Sequence, residues 1–228
     1  MTEVAASKWL WVASLALVGA CTPKNPAADS PRGEANLAEF EIEKIPDTVE
    51  HRLYADFEGK VQLLGYEISP DKLAPPGAPV SMKLYWQRTG SLGKGWGLFT
   101  HVLDDKGRQL AQFDDSGPLR ESDGDQQIYG PSSWQLGKIY LDEVNFDVPR
   151  RVQRGEESRP LDARRVTVAV GVWKGARSED PGGAARLDVI GHPADSHRRA
   201  LVAHLATGVE PPDDEPSEPE EDSEGSKR

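Results

Sequence analysis

The sequence of 228 residues lacks a second cysteine, any excess of positive charge, and any long uninterrupted apolar run. A single cysteine, Cys21, cannot form a disulfide within the chain, so packing must stabilise the fold. The longest uncharged apolar run, residues 9–20, is shorter than the 20 or so residues that a membrane-spanning helix needs. The net charge is −11, from 38 acidic residues against 27 Lys and Arg. This balance excludes a nucleic-acid binder that acts through bulk charge.

The run at residues 9–20 has the features of an export signal. It is preceded by Lys8, and small residues stand before a predicted cleavage between Ala20 and Cys21. Residues 17–21, Leu-Val-Gly-Ala-Cys, resemble the bacterial lipobox. That resemblance implies that the Cys21 thiol receives a diacylglycerol and that Cys21 becomes the first residue of the mature chain. Two or three acyl chains would hold a soluble domain on a membrane. An ordinary cleaved signal followed by an unmodified cysteine is the alternative.

Composition separates both ends of the chain from its middle. Residues 21–38 contain three prolines and four alanines among small and polar residues, which predicts a disordered tether after Cys21. Residues 209–228 contain four prolines and nine acidic residues against Lys227 and Arg228, a net charge of −7. They predict a disordered acidic tail, either solvated or used as a calcium-binding segment or a docking arm for a basic partner. The predicted organisation is a signal peptide (1–20), the tether (21–38), one folded domain (39–208) and the tail (209–228).

The middle of the chain has the two-residue period of β-strands. Large apolar residues occupy every second position at 80–86 and at 166–172, which places them on one face of a strand. The turn at residues 104–107, Asp-Asp-Lys-Gly, joins two such runs. These features predict an all-β fold, an antiparallel immunoglobulin-like β-sandwich of about eight strands. The predicted strands lie near 50–57, 60–68, 80–86, 96–104, 108–114, 139–148, 166–173, 186–191 and 199–205. The last is ambiguous with a helix and is taken as a strand with Leu201, Ala203 and Leu205 on one side.

Four short segments occur in an order that resembles a bacterial extracytoplasmic module. They are residues 63–66 (Leu-Leu-Gly-Tyr), 80–86 (ending in Leu-Tyr-Trp), 99–104 (Phe-Thr-His-Val-Leu-Asp) and 131–134 (Pro-Ser-Ser-Trp, followed by Gly137). The module is the β-sandwich appended to membrane glycosyltransferase-type proteins and to exported proteins. The similarity covers about residues 48–208 and implies a scaffold, with no catalytic residues to transfer.

Direct signs of chemistry are weak. The glycine-rich residues 90–97 lack the spacing of a phosphate-binding loop, and no Gly-x-Ser-x-Gly nucleophile motif is present. His192 and His197 match no zinc signature. Acidic residues between 114 and 125 could supply oxygen ligands to a weak calcium site, although a solvated loop is the favoured interpretation. Asp142 and Glu143 are neighbours on a strand and face opposite sides, which argues against a catalytic pair. We therefore expect no enzyme activity, no cofactor and no metal.

Aromatic side chains are the remaining candidates for a ligand surface. Tyr85 and Trp173 have the strand parity opposite to the core, and flat exposed rings can stack on sugars. Together with Trp134 and His101 they form the predicted ligand surface, although His101, between Phe99 and Leu103, is better interpreted as a buried, hydrogen-bonded structural histidine. The sequence thus favours an exported protein anchored to the cell envelope, at the outer membrane, with a non-catalytic binding or structural domain. The expected partners are the membrane, through acyl chains on Cys21, and an envelope protein or glycan, with no nucleic acid. A glycan-binding module and, less favoured, an envelope hydrolase are the alternatives.

Overall fold

The computed structural model of the chain describes residues 37–124, 126–175 and 185–210. This part is all-β, as predicted: strands dominate it, and three short 3-10 helices lie at Ala38–Phe40, Pro118–Arg120 and Pro131–Ser133. None of its helices has the length and apolar character needed to cross a membrane. The predicted signal peptide, Cys21, most of the tether and the tail beyond residue 210 lie outside the described residues.

Sheet A contains six antiparallel strands. They are β1 (Glu41–Ile42), β2 (His51–Phe57), β3 (Val61–Ser69), β4 (Pro79–Arg88), β9 (Ile139–Asp147) and β14 (Val189–Ile190). Their spatial order is β1-β9-β4-β3-β2-β14. The pairs β2–β3 and β3–β4 are consecutive in the chain, whereas β9 returns from a distant part of it to pair with β4.

Sheet B is built around one long central strand. Its strands are β5 (Trp96–Leu103), β6 (Gln109–Gln112), β12 (Arg165–Lys174), β13 (Ala185–Arg186) and β15 (Ala200–Ala206). The central strand, β12, pairs with β5 on one side and with both β15 and β13 on the other. Two small hairpins complete the fold: β7 (Ser122–Asp123) with β8 (Gln126–Gln127), and β10 (Arg151–Arg154) with β11 (Glu157–Pro160).

The main core lies between the two sheets and follows the predicted alternation. Val80, Met82, Leu84 and Trp86 on β4 are all buried there, and they meet alternate valines of β12. Those valines are Val166, Val168, Val170 and Val172. Branched side chains at every second position suit this half-buried pleated surface. The antiparallel sandwich predicted from the period is therefore confirmed.

Most predicted strands are found within a residue or two of their expected ends, with two local corrections. The segment predicted as one strand at 186–191 forms two short strands, β13 and β14, which belong to different sheets. On β15, Val202 joins Ala203 and Leu205 in the core and Leu201 does not. A register shift between Val168 and Ala169 causes this change, because a bulge reverses the side on which the following side chains point.

Candidate functional site

Tyr85 faces away from the main core, as its parity predicts, but only 3% of it is exposed. The chain segment before β2 covers it, and Ile45 and Val49 form a small second apolar cluster with its ring. Its hydroxyl donates a hydrogen bond to Glu67 Oε2 at 2.9 Å. Burial, followed by this hydrogen bond, raises the pKa of Tyr85 to about 12. The prediction that the Tyr85 ring is exposed is therefore wrong, because the ring is buried.

The two predicted tryptophans are buried as well, and each indole N–H binds a backbone carbonyl. Trp173, on the outer side of sheet B, is 8% exposed and donates to Leu98 O at 3.3 Å. Trp134 is 1% exposed, donates to Tyr129 O at 2.7 Å and stacks on Tyr140 with ring centroids 4.8 Å apart. Neither ring offers a free face to a ligand, so the surface predicted from these aromatic residues does not form.

His101 is a buried structural histidine, as the sequence favours, but the predicted hydrogen bond is not found. Its ring lies 4.7 Å from the Phe99 ring, and its Nε2 is 3.7 Å from Asp114 Oδ1. Its Nδ1 has no hydrogen-bond partner among the described residues. Burial, followed by the positive charges of Arg186 and Arg199, lowers the pKa of His101 to about 3. The imidazole is therefore neutral at physiological pH and is poorly suited to act as a base.

Charged side chains cover this outer face of sheet B. The Arg186 guanidinium carbon lies 4.6 Å from the centre of the Phe99 ring, in cation–π geometry. Arg199 is nearly buried and donates to Asp195 Oδ2 at 2.6 Å and to Gly107 O at 3.1 Å. These contacts fix the loop before β15 over the strands. The charged side chains therefore cover the outer face of sheet B, which the alternation of residues along the strands had predicted to be exposed.

The main core contains one fully buried ion pair, which the sequence did not reveal. Asp142 points into the core from β9, while Glu143 beside it is exposed, as their adjacent positions predict. Arg120 Nη2 donates to Asp142 Oδ2 at 2.8 Å, and Trp86 Nε1 donates to the same oxygen at 3.2 Å. Arg120 Nη1 also binds Phe113 O. Both charged groups of this cluster have partners, so the ion pair is interpreted as a structural interaction that joins β9 to the 3-10 helix at Pro118–Arg120.

The acidic residues considered for calcium do not converge in the part of the chain that the structure describes. No group there brings together three or more His, Cys, Asp or Glu side chains that could hold a metal ion. Asp114 accepts a hydrogen bond from the Thr100 N–H, and Asp115 accepts one from Ser122. Asp125 lies outside the described residues.

A polar groove opens at one loop end of the sandwich, between the glycine-rich connection, the β7–β8 hairpin and the 3-10 helix at Pro131–Ser133. Its volume is about 360 Å³. Gln127 fixes the wall, because its amide binds the Leu98 N–H, Leu98 O and Asp114 O. Ser132 ties the same wall to the glycine-rich connection through Gly93 O at 2.8 Å. The polar side chains lining it are Lys94, Asp123, Gln126, Gln127, Ser132 and Ser133.

One aromatic side chain is exposed on sheet A, and sequence reasoning missed it. Tyr54, on β2, is 51% exposed, and its hydroxyl accepts a hydrogen bond from Gln62 Nε2 at 2.9 Å. It also donates to Asp56 Oδ2 at 3.4 Å. Ile190 on the neighbouring strand is 57% exposed. The parity of β2, in which Ala55 and Phe57 face the core, is the signal that could have found Tyr54.

No protein-family model matches this chain, and no curated protein is significantly similar to it.

Proposed function

We propose that this protein is a lipid-anchored lipoprotein of the cell envelope whose β-sandwich is a non-catalytic binding or structural domain. The lipobox-like residues 17–21 supply the anchor, and residues 22–36 supply the connection to the folded part. The outer membrane is the proposed destination, because Thr22 follows the cysteine where aspartate is associated with retention at the inner membrane. The membrane partner is engaged through acyl chains on Cys21.

The polar groove is the observation that supports a binding role best. A binding module needs a contiguous polar or aromatic surface whose shape is fixed before the ligand arrives. Here the groove is open, and partly buried hydrogen bonds of the Gln127 amide hold its wall. Amide, hydroxyl, carboxylate and ammonium groups converge on it, which suits a polar ligand with several donors and acceptors. By contrast, Asp142 and His101 serve internal contacts.

The binding role is tested with the full chain in detergent, compared with a groove variant, Asp123→Ala with Gln126→Ala. The control is Lys44→Ala with Asp47→Ala, an exposed pair outside the groove. The unsubstituted protein and both variants are used in a pull-down from intact envelope and in a glycan-binding screen. A binding role requires a retained ligand or complex that the groove variant loses and the control keeps. Equal retention by both variants contradicts a role for the groove.

The lipid anchor is tested by Cys21→Ser, with Thr22→Ser as the matched control. We expect Cys21→Ser to abolish incorporation of labelled palmitate and to release the protein from the membrane fraction, while far-UV circular dichroism stays unchanged. Thr22→Ser should remain acylated and sediment with membranes. Unchanged sedimentation of the Cys21→Ser protein, or an uncut and unmodified amino end in mass spectrometry, would overturn the proposal.

Glycan binding is the second candidate, and the exposed ring of Tyr54 favours it. A ring flanked by the Gln62 amide and the Asp56 carboxylate combines a stacking platform with hydrogen-bonding groups. The test compares Tyr54→Ala with the control Leu136→Ala. Leu136 is 67% exposed, so its substitution also removes an exposed apolar side chain. Loss of polysaccharide retention in the first variant alone would support this candidate, and equal retention would exclude it.

A further inference from the structure

Positive charge is concentrated at one end of the sandwich. Residues 150–165, which form the β10–β11 hairpin and the start of β12, contain six arginines and three acidic residues, a net charge of +3. The excess is conspicuous in a chain whose total charge is −11. We call the exposed cations of this end the arginine surface: Arg150, Arg151, Arg159, Arg164, Arg165 and the neighbouring Lys72.

Some side chains of the arginine surface have a polar partner within the domain, and others do not. Arg159 pairs with Glu157, and Arg151 donates to the Ser158 hydroxyl at 2.9 Å. Among the described residues, no acidic partner is found for Arg164 or Arg165. Burial, followed by the positive charge of Arg165, lowers the pKa of His204 on the adjacent strand. The surface therefore retains positive charge that is free to attract an anion.

The chain leaves the folded domain beside the backbone of three members of this surface, Lys72, Arg164 and Arg165. Ala206, the last residue of β15, pairs with Arg165, and its N–H donates to Lys72 O at 2.8 Å. The N–H of Thr207 then donates to Arg164 O at 2.9 Å. The backbone is thus fixed between Lys72 on one side and Arg164 on the other. The segment after Thr207 therefore begins beside these cations.

That segment is strongly acidic. Glu210 is exposed, and residues 211–228 add eight acidic residues against two basic ones. An extended chain spans at most about 3.5 Å per residue, so Asp213 to Glu215 lie within about 30 Å of Thr207. A short connection of this kind gives the attached segment an effective concentration in the millimolar range. Opposite charges and covalent proximity therefore act in the same direction.

A bilayer is a less fitting partner for the arginine surface than this segment is. The first described strand, β1, pairs with Ile139 and Tyr140 at the start of β9, whereas Arg150 follows its other end at Asp147. Nine residues of strand separate the two ends by nearly 30 Å. The first strand of the described residues therefore lies at the end of β9 remote from the arginine surface.

We propose that the acidic residues 211–228 bind the arginine surface of the same molecule. The contacts are charge-assisted, with carboxylates of the segment accepting hydrogen bonds from guanidinium groups around Arg164 and Arg165. Bound in this way, the segment neutralises the basic end of the sandwich and keeps other polyanions from it. The interaction weakens with salt, because exposed charges are screened within about 3 Å at 1 M ionic strength.

The test is zero-length carbodiimide crosslinking of the full-length protein, which joins a carboxylate to an adjacent lysine amine, with the products located by mass spectrometry. At low salt we expect crosslinks from residues 213–224 to Lys72. They should be lost at about 1 M salt. They should also fall several-fold in Arg164→Gln with Arg165→Gln. The control, Lys60→Gln with Lys94→Gln, removes the same charge from the opposite end of the sandwich and should retain the Lys72 crosslinks.

Three results would overturn the proposal. Crosslinks of equal yield to Lys60, Lys94 and Lys72 would show an acidic segment with no preferred surface. Lys72 crosslinks that survive both high salt and the double arginine substitution would show simple proximity. Crosslinked dimers in place of internal products would assign the segment to a second copy of the chain. Thermal melting of each variant verifies folding, and both arginines are exposed, so the folded state should persist.

Discussion

The interior of the sandwich and the covered outer face of sheet B both bury charge beside aromatic rings, but they satisfy it differently. In the interior, Arg120 and Asp142 bind each other, and Trp86 completes the set. On the outer face, Arg199 has a carboxylate partner, but His101 Nδ1 and Arg186 Nε have none among the described residues. In the interior the buried charges are paired, whereas on the outer face two buried nitrogen atoms have no hydrogen-bond partner among the described residues.

This difference indicates how each region should respond to perturbation. A paired buried charge depends on its partner, because removal of one member leaves the other desolvated and uncompensated. A buried imidazole with an open nitrogen remains neutral instead, so its cost arises only when acid forces protonation. The interior should therefore be sensitive to substitution at neutral pH, whereas the stability that the outer face contributes should depend on pH.

Breaking the interior pair should have the largest effect. Asp142→Asn leaves the Arg120 charge buried without a counter-charge, so we expect a loss of about 3–5 kcal/mol in the free energy of unfolding. Glu143→Gln on the same strand is the control, since that side chain is 48% exposed. Denaturant unfolding at pH 7 measures both variants. A loss below about 1 kcal/mol in Asp142→Asn would show that the ion pair is no structural tie.

The contribution of the outer face to the free energy of unfolding should depend on pH through His101. The folded-state pKa of His101 is lowered from 6.5 to about 3, so the unfolded chain binds the extra proton first. The contribution of neutral His101 is fully present above pH 6.5 and declines as the pH falls toward 3. We expect this loss to lower the free energy of unfolding by about 3 kcal/mol between pH 7 and pH 4. The groups that set this environment are Asp114, Arg120, Arg186, Asp195 and Arg199.

His101→Phe removes the titration, so we expect its stability to decline less between pH 7 and pH 4 than that of the unsubstituted protein. His197→Gln is the control, because 59% of that side chain is exposed. Denaturant midpoints at a series of pH values provide the comparison. Parallel pH profiles for His101→Phe and the unsubstituted protein would contradict a buried neutral imidazole at this position.

A smaller effect should follow from loosening the charged cover. Asp195→Asn removes the charge that Arg199 binds at 2.6 Å and weakens the loop before β15, with an expected cost of about 1.5–3 kcal/mol. Asp47→Asn is the control, since the Lys44–Asp47 pair is almost fully exposed, and it should change stability by less than about 0.5 kcal/mol. Thermal melting distinguishes the two. Equal changes would mean that the cover behaves as ordinary surface.

The candidate site was less predictable from the sequence than the strands were. The parity of Tyr85 and Trp173 correctly places both outside the main core, yet both are buried. Their burial depends on Ile45 and Val49 in one case and on strand pairing near Arg186 in the other. Such coverage involves segments far apart in the chain, and strand periodicity carries no information about it. Tyr54 has the same outward parity and stays half exposed.

The sequence by itself determined the all-β class, the strand positions and the inward set on β4 and β12, because side-chain direction alternates locally along a strand. It also determined where acidic and basic residues are concentrated. Only the tertiary structure decided which outward side chains are covered, that Asp142 meets Arg120, and that the chain leaves β15 beside Arg164. These features arise from contacts between distant segments, whose geometry is set by how the two sheets and their loops pack together.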